Sequence, residues 1–377
     1  MTARDSQLTA FGPAPRWASE SACSDSICRG EFAVNEELVL SIVVKARNEE
    51  AKIENCLKSC QLALAELGEC AEIILVDSLS EDATVAIAKS FPVRIVQIEF
   101  PEDCCPGAAV ELGYRQAHGK YIYLLDGDMT LECGFLPNAI QWLETNHNYA
   151  GVGGILSDTL VVNFEDRRRM AMKPSATPGD VDRLAGGGLF RRSDIVPLGY
   201  LGHRDLRANE EAELGFRLLH AGRKLHRLPV ASVKHTGHGI GTFALMKMHF
   251  KSGRFTASGN FLRIALGFGF FWQVLHLFRH PVSLIIFWGC VFISFLASAG
   301  SVIVLAALFG LLFVVALSVK KKSVHSALFS LLLWHYGILG ILIGIWRKPR
   351  NPMGLIPNII LVDQVVGRGK TEIFTSN

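Results

Sequence analysis

Two aspartates separated by one glycine have the clearest potential for chemistry in this sequence, in the segment Leu124-Leu-Asp-Gly-Asp-Met129. They follow an apolar run that is typical of a buried strand, so both carboxylates would lie at the end of that strand. Carboxylate oxygens bind Mg²⁺ and Mn²⁺, and these ions keep coordination positions open for phosphate oxygens. Asp126 and Asp128 could therefore share a hard cation and a diphosphate. The alternative is a capped turn after a strand.

A third aspartate, Asp77, also follows an apolar run and opens the serine-rich turn Val76-Asp-Ser-Leu-Ser-Glu-Asp-Ala-Thr84. A carboxylate at a strand end beside such a turn could bind a nucleoside through its base or its ribose hydroxyls. Ser80 or Asp82 could instead cap the helix that follows, because both side chains accept hydrogen bonds from helix N-terminal N–H groups.

Two further segments contain groups that could act near such a site. In Asn209-Glu-Glu-Ala-Glu-Leu-Gly-Phe-Arg217, a carboxylate at a helix start could take a proton from a hydroxyl. The alternative is acidic charge that stabilises the helix N-terminus. In Val233-Lys-His-Thr-Gly-His-Gly239, His235 or His238 could complete a metal shell or contact a diphosphate, or both could be structural.

The elements that must position these residues alternate between strands and helices. Apolar runs predict strands at Leu38–Val44, Glu72–Asp77, Val93–Glu99, Tyr121–Asp126 and Pro229–His235. Amphipathic stretches predict helices at Glu50–Leu67, Ala83–Lys89, Gly107–His118 and Asn209–His220. This alternation predicts an α/β domain with a mostly parallel central sheet and helices on both faces. Ligands bind such sheets at the carboxyl ends of the strands, where Asp77 and Asp126 stand.

The apolar residues gather in the last third of the chain, although hydrophobic residues are 50% of the whole. Residues 282–319 contain no charged side chain and are long enough for two membrane spans of about 20 residues each. The predicted organisation is a flexible tail at 1–36, an α/β domain at 37–240, interfacial helices at 241–281, membrane helices at 282–346 (about 282–300, 301–319 and 324–346) and a tail at 347–377.

Charge and cysteine content bound the class of protein. The net charge of +3 is too close to neutral to predict a nucleic-acid partner. Nine cysteines, an odd number in a chain of 377 residues, indicate reduced thiols in a cytosolic compartment. The polar N-terminal segment has no apolar run of a secretory signal, so we expect the α/β domain in the cytoplasm.

The membrane orientation predicted from charge contains a conflict. If the first two spans form a hairpin, Lys320, Lys321 and Lys322 are cytoplasmic, as the positive-inside tendency expects. A third single span would then place Arg347 and Lys348 outside. The third segment could be re-entrant or broken, or another span could precede it around 261–278.

Taken in order, these residues resemble the family 2 glycosyltransferases, an inverting group with the GT-A fold. Leu40–Glu50 is similar to the family's opening strand and its Asn-Glu turn, and Asp77–Thr84 to its nucleotide loop. Asp126-Gly-Asp128 matches its metal-binding Asp-x-Asp. Glu210–Glu213 matches its Glu-Asp-x-Glu region. The resemblance covers about residues 38–238, with Ser78 and Glu211 at positions where aspartate is usual.

The resemblance implies a role for each matching residue. Arg47, Glu49 and Asp77 would contact the nucleoside, Asp126 the ribose and diphosphate, Asp128 the metal, Gly186, Gly187 and Gly188 the donor sugar, and Glu211 would be the catalytic base. His235 is a candidate further metal ligand.

The same resemblance implies a membrane-anchored enzyme that transfers a sugar from a UDP- or GDP-sugar to a lipid-linked or cell-envelope glycan acceptor, with inversion and with Mn²⁺ or Mg²⁺. We expect a multi-pass protein of the inner membrane in contact with its lipids. No Gln-x-x-Arg-Trp follows residue 238, which favours one sugar per encounter. The alternatives are a nucleotidyltransferase that acts on sugar phosphates and an inactive membrane scaffold.

Overall fold

The computed structural model describes residues 38–67, 71–159, 162–164, 166–167, 177–184, 186–237, 239–296 and 300–364. The predicted tail at 1–36, His238, and the C-terminal residues after 364 lie outside the described residues.

Four parallel strands form one half of the central sheet, in the spatial order β3-β2-β1-β4. They are β1 (Leu40–Ala46), β2 (Ala71–Asp77), β3 (Arg94–Ile98) and β4 (Tyr121–Asp126). Every residue of β2 is buried, because helices cover both faces of a parallel sheet and leave no face for polar side chains.

The helices of the domain lie on both faces of this sheet, as the sequence predicts. They are α1 (Ile53–Ala65), α2 (Thr84–Ala88), α3 (Pro106–Gln116), α4 (Phe135–Thr145), α5 (Arg192–Ile195) and α6 (Glu210–His220). Alternate residues of β1 enter different cores: Ile42 packs in the core that contains α1 and α4, and Val43 in the core that contains α3 and α6. This alternation follows from the two-residue side-chain period of a strand.

The other half of the sheet is mixed, so the parallel arrangement predicted for the domain holds for its first four strands. This half contains β5 (Met129–Leu131), β6 (Tyr149–Asp158), β7 (Gly179–Val181), β8 (Gly188–Arg191) and β9 (Lys224–His235). Strand β8 runs antiparallel to β4 and pairs Gly188 with Leu124. The start of β8 therefore lies at the carboxyl end of β4, beside the Asp126-Gly-Asp128 turn.

In the described part of the chain after the domain there are six α-helices, and three of them are long and apolar enough to cross a membrane. They are α7 (Thr242–Lys251), α8 (Ala257–Ala265), α9 (Phe271–Leu277), α10 (Arg279–Leu296), α11 (Gly300–Lys321) and α12 (Val324–Gly344). Among the described residues, only α10, α11 and α12 have that length, so the extra span considered around 261–278 is absent. Helix α8 is buried instead, and its Phe261 stacks on Phe216 of α6.

Helix α12 contacts the domain near its start and contacts the segment between α7 and α8 further along. Its Phe329 ring is 5.6 Å from that of Phe164, and its Tyr336 ring is 5.7 Å from that of Phe255. Gly344 approaches the start of α8 so closely that a Cβ atom there would be 2.2 Å from the Thr256 carbonyl oxygen. Only glycine permits this contact.

The segment predicted as a C-terminal tail, 347–377, contains a strand that packs on the domain. Asn358–Val362 forms β10, which pairs antiparallel with β3 and completes that edge of the sheet. Ile356 is buried, and Arg350 forms ion pairs with Asp205 and Asp103 at 2.6 Å. The β-branched run of β10 satisfies backbone groups that β3 would otherwise leave unpaired at an edge.

Candidate active site

Asp77 is fully buried at the carboxyl end of β2, with one carboxylate oxygen satisfied and the other not. Its Oδ2 accepts hydrogen bonds from the Ser80 backbone N–H at 3.0 Å and from Gln97 Nε2 at 2.8 Å. Its Oδ1 has no hydrogen-bond partner among the described residues. A buried acceptor without a donor costs about 1–3 kcal/mol, so a ligand that brings an N–H or O–H group here would recover that cost.

The turn after β1 is hydrogen-bonded to the turn after β2. Asn48 adopts a left-handed backbone (φ 55°) and donates its N–H to Ser80 Oγ at 2.9 Å. The Glu49 N–H donates to Thr84 Oγ1 at 2.7 Å. Arg47 is exposed at this turn, whereas the Glu49 side chain is buried. These bonds hold the three residues predicted to contact a nucleoside at two neighbouring strand ends.

Lys45, which the sequence analysis missed, lies at the centre of the acidic site. Its Nζ is 3.0 Å from Asp126 Oδ1 and 2.6 Å from Glu210 Oε1. Burial opposes the charged form, but the two carboxylates prevail and raise the pKa of Lys45. The signal available in the sequence was a single lysine inside an otherwise apolar strand.

Asp128 faces a histidine that a second carboxylate orients. Asp128 Oδ2 lies 3.3 Å from His235 Nε2, and Asp158 Oδ1 lies 2.7 Å from His235 Nδ1. A carboxylate at one ring nitrogen fixes the orientation of the imidazole and directs the other nitrogen. Among the described residues, no group of three or more His, Cys, Asp or Glu side chains is arranged to hold a metal ion. A carboxylate oxygen and an imidazole nitrogen at this spacing nevertheless fit Mn²⁺, with phosphate and water as the remaining ligands.

Glu211 lies beside a glycine loop that only glycine can form. Gly186 and Gly187 have φ values of 73° and 99°. A Cβ atom would be 1.9 Å from Leu156 Cδ1 at the first position and 2.7 Å from the Tyr123 hydroxyl at the second. Glu211 Oε1 accepts from the Gly186 N–H at 3.4 Å. The sequence-predicted loop and the predicted base are therefore in direct contact.

The adjacent carboxylates of α6 have opposite pKa shifts. Burial, together with the negative charges of Glu210 and Asp126, raises the pKa of Glu211 to about 7. Burial also disfavours the charged form of Glu210, but the Lys45 ammonium outweighs it and lowers that pKa. Neighbouring titratable groups whose environments separate their pKa values can divide acid–base work between them. Of these two carboxylates, Glu211 is the one able to exchange a proton near neutral pH.

Several of these residues line one cavity. It is lined by Lys45, Asp126, Gly187, Gly188, Glu210 and Glu211. Of the predicted site residues, it brings together the base, the first aspartate of Asp126-Gly-Asp128 and the glycine loop. Arg47, Glu49 and Asp77 lie at the neighbouring strand ends and do not line it, and neither do Asp128 and His235.

Glu213, the last carboxylate of the acidic run, has a different role. It is fully buried and accepts hydrogen bonds from Arg217 Nε and from the Tyr200 hydroxyl at 2.7 Å each. The bond from Tyr200 holds α6 against the segment that precedes it.

Residues 41–193 match the model of a family described as glycosyl transferase family 2. This segment is similar to the family 2 glycosyltransferases. The match confirms the resemblance drawn from the sequence motifs.

Curated relatives of this glycosyltransferase domain include two enzymes named for prenyl phosphates. The undecaprenyl-phosphate 4-deoxy-4-formamido-L-arabinose transferase of Pseudomonas aeruginosa is 26% identical over 117 residues, which is 30% of this chain and 34% of that protein. The dodecaprenyl-phosphate galacturonate synthase of Rhizobium johnstonii is 30% identical over 122 residues, 31% of this chain and 36% of that protein. The chain spans about a third of the length of these relatives.

Among solved structures, the glycosyltransferase resembles a mannosyltransferase of Pyrobaculum calidifontis that was determined with GDP-Man and Mn²⁺. The TM-score is 0.53 at 19% identity, over 81% of this chain and 87% of that one. A likeness at this identity shows the fold, and it confirms the predicted GT-A architecture.

Proposed function

We propose that this protein transfers a sugar from a nucleotide-sugar donor to a hydroxyl of a lipid-linked acceptor, with inversion at the anomeric carbon. The observation that carries the proposal is the contact of Glu211, with its pKa near 7, with the glycine loop beside Asp126. That arrangement offers a proton acceptor next to a site for a sugar diphosphate. The prenyl-phosphate names of the curated relatives support a lipid-linked acceptor.

The donor would lie across the strand ends of β1, β2 and β4. The unpartnered Oδ1 of Asp77 suits an N–H of the base, with Arg47 and Glu49 beside it. Asp126 would face the ribose and diphosphate. Asp128 and His235 would hold Mn²⁺ or Mg²⁺, which when bound offsets the negative charge on a leaving diphosphate.

Glu211 would act on the acceptor in a single displacement. Its carboxylate takes the proton of the acceptor hydroxyl while that oxygen bonds to the anomeric carbon from the side opposite the diphosphate. The bond between the anomeric carbon and the diphosphate oxygen breaks, and a nucleoside diphosphate leaves. Lys45 would keep Glu210 out of this exchange, because it holds that neighbour in an ion pair.

We further propose that α10 and α11 anchor the enzyme in the inner membrane with its domain in the cytoplasm. The cluster of Lys320, Lys321 and Lys322 at the end of α11 supports this orientation.

Release of a nucleoside diphosphate by the purified full-length protein tests the proposal. The protein in detergent with Mn²⁺ would be incubated with a panel of UDP- and GDP-sugars, with and without membrane lipid extract. We expect release from one donor, greater with the extract and lost after chelation. Pyrophosphate release from a nucleoside triphosphate and a sugar phosphate would instead indicate a nucleotidyltransferase. The absence of both products would favour an inactive scaffold.

The rate should depend on pH through Glu211. A base must be deprotonated to accept a proton, and the pKa of Glu211 is raised to about 7, so kcat/KM should fall about tenfold per pH unit below that value. Above it, the rate should reach a plateau. Initial rates between pH 5.5 and 9 at saturating metal measure this profile, and a flat profile across that range would contradict the assignment.

A further inference from the structure

A second cavity, of about 310 Å³, lies where the domain meets the segment after α12. The loop that leads into α6 contributes Arg204, Asp205 and Arg207 to its wall. The segment after α12 contributes Arg347, Lys348 and Arg350. Glu102 is the other acidic side chain in the wall, so five basic residues face two acidic ones. The cavity shares no lining residue with the active-site cavity.

Two of the five cations are neutralised within the wall. Arg350 forms ion pairs with Asp205 and Asp103, at 2.6 Å each. Arg204 forms an ion pair with the same Asp103 at 2.8 Å. These pairs fasten the segment after α12 to the loop before α6, so the cavity forms between distant parts of the chain.

The other three cations have no carboxylate partner among the described residues. Arg207 donates only to backbone carbonyls, those of Cys104 at 3.2 Å, Ser252 at 3.1 Å and Glu102 at 3.4 Å. Arg347 and Lys348 are exposed and form no ion pair with the part of the chain that the structure describes. Glu102 lines the same cavity without forming an ion pair with any of these three residues, and its carboxylate reduces their net charge by one. The cavity therefore keeps an excess of positive charge.

A buried donor in the same wall is also unsatisfied. Arg204 is 8% exposed, and its Nε–H has no acceptor among the described residues, although its other nitrogens bond to Asp103 and to the Leu355 carbonyl. Arginine side chains with uncommitted N–H groups match the oxygens of a phosphate, which they can bind through two parallel hydrogen bonds.

The position of the cavity indicates where that phosphate comes from. Arg347 and Lys348 directly follow the apolar helix α12 and Trp346, which is 86% exposed. Tryptophan and basic residues at the end of an apolar helix are typical of the headgroup region of a bilayer. Basic pockets at that depth bind lipid headgroups.

We propose that this cavity binds the phosphate group of an anionic membrane lipid, with Arg207, Arg347 and Lys348 as the groups that contact it. The inference does not depend on the proposed transfer reaction, because binding is measured without a donor. Failure of one leaves the other intact.

Calorimetric titration of the full-length protein in an uncharged detergent tests the site. The probe is short-chain phosphatidic acid, and the comparison lipid is short-chain phosphatidylcholine, whose phosphate is balanced by choline. The variant R347Q/K348Q removes two charges from the cavity. K320Q/K321Q removes two charges from the last turn of α11, near the other end of α12, and serves as the matched control.

We expect R347Q/K348Q to bind phosphatidic acid at least about tenfold more weakly, since each basic residue near a lipid surface contributes measurably to binding. The charge-preserving R347K/K348R should keep most of the affinity, and K320Q/K321Q should match the parent protein. Equal losses in both glutamine variants would indicate general attraction to anionic lipid and overturn the site, as would no loss in R347Q/K348Q. Inorganic phosphate that binds as tightly as the lipid would overturn the assignment to a lipid.

Discussion

Replacing Glu211 by glutamine should lower kcat by about 10²–10⁴, because that is the range of rate that a positioned proton acceptor supplies. Glutamine keeps the size of the side chain and its contact with the Gly186 N–H, but its amide cannot take a proton from a hydroxyl. The donor does not need that proton transfer to bind. The expected result is therefore a large loss of nucleoside diphosphate release with unchanged donor affinity, measured by initial rates and by calorimetry.

A matched control is Glu54→Gln, which makes the same change in the first turn of α1 on an exposed side chain. It should leave kcat unchanged. Full turnover by Glu211→Gln would contradict the base assignment, and it would point to an acceptor that is already anionic, such as a phosphate. The variant thus tests the residue and the chemistry of the acceptor together.

The second large effect should come from Asp128→Asn. A neutral amide is a weaker ligand for a hard cation than a carboxylate, so we expect the Mn²⁺ concentration for half-maximal activity to rise at least about tenfold and kcat to fall. Mn²⁺ binding can be followed by electron paramagnetic resonance without any substrate. Unchanged Mn²⁺ binding in this variant would contradict the assignment of Asp128 as a ligand.

Asp158→Asn provides a graded comparison for the same site. Asp158 contacts Nδ1 of His235 and would act through the orientation of that ring. Groups that orient a metal ligand typically affect metal affinity by 10–100-fold. We expect Asp158→Asn to weaken Mn²⁺ binding less than Asp128→Asn does.

The part of the fold that the sequence predicts well is the part in which local pattern and tertiary environment agree. The strands that end at Asp77 and Asp126 are continuous apolar runs, and the parallel sheet buries both faces of such runs. Because ligands bind at the carboxyl ends of parallel strands, their terminal aspartates can be predicted as candidate site residues from position alone.

The residues that sequence reasoning missed depend on partners far away in the chain. Lys45 meets Glu210 across 165 positions, and Asp158 meets His235 across 77. No periodic pattern contains such pairs. Strand β10 was missed for the same reason, since its partner β3 precedes it by about 260 residues and a single short run gives a weak strand signal.

Helix α8 illustrates a different limit. Its apolar face was expected at a membrane surface, yet Phe261 and its neighbours pack against α6 and α12. An amphipathic pattern states that one face avoids water, but it does not say whether lipid or protein covers that face.

The pairing of β10 with β3 restricts how the chain can be threaded through a bilayer. Two strands of one sheet must occupy the same aqueous compartment, so the chain between the domain and β10 can cross the membrane only an even number of times. Three helices are long enough to cross. One of them must therefore return to the side from which it started, or never leave it.

Helix α12 contacts the domain through Phe329, and it contacts the segment between α7 and α8 through Tyr336 and Gly344. The number of membrane crossings is even when α10 and α11 cross as a hairpin and α12 lies along the membrane plane beneath the domain. The lysines before α12 and the arginine after it then share one side, which removes the charge conflict in the sequence. In this arrangement α12 lies between the domain and the membrane interior, and its Leu328 and Leu339 side chains are exposed.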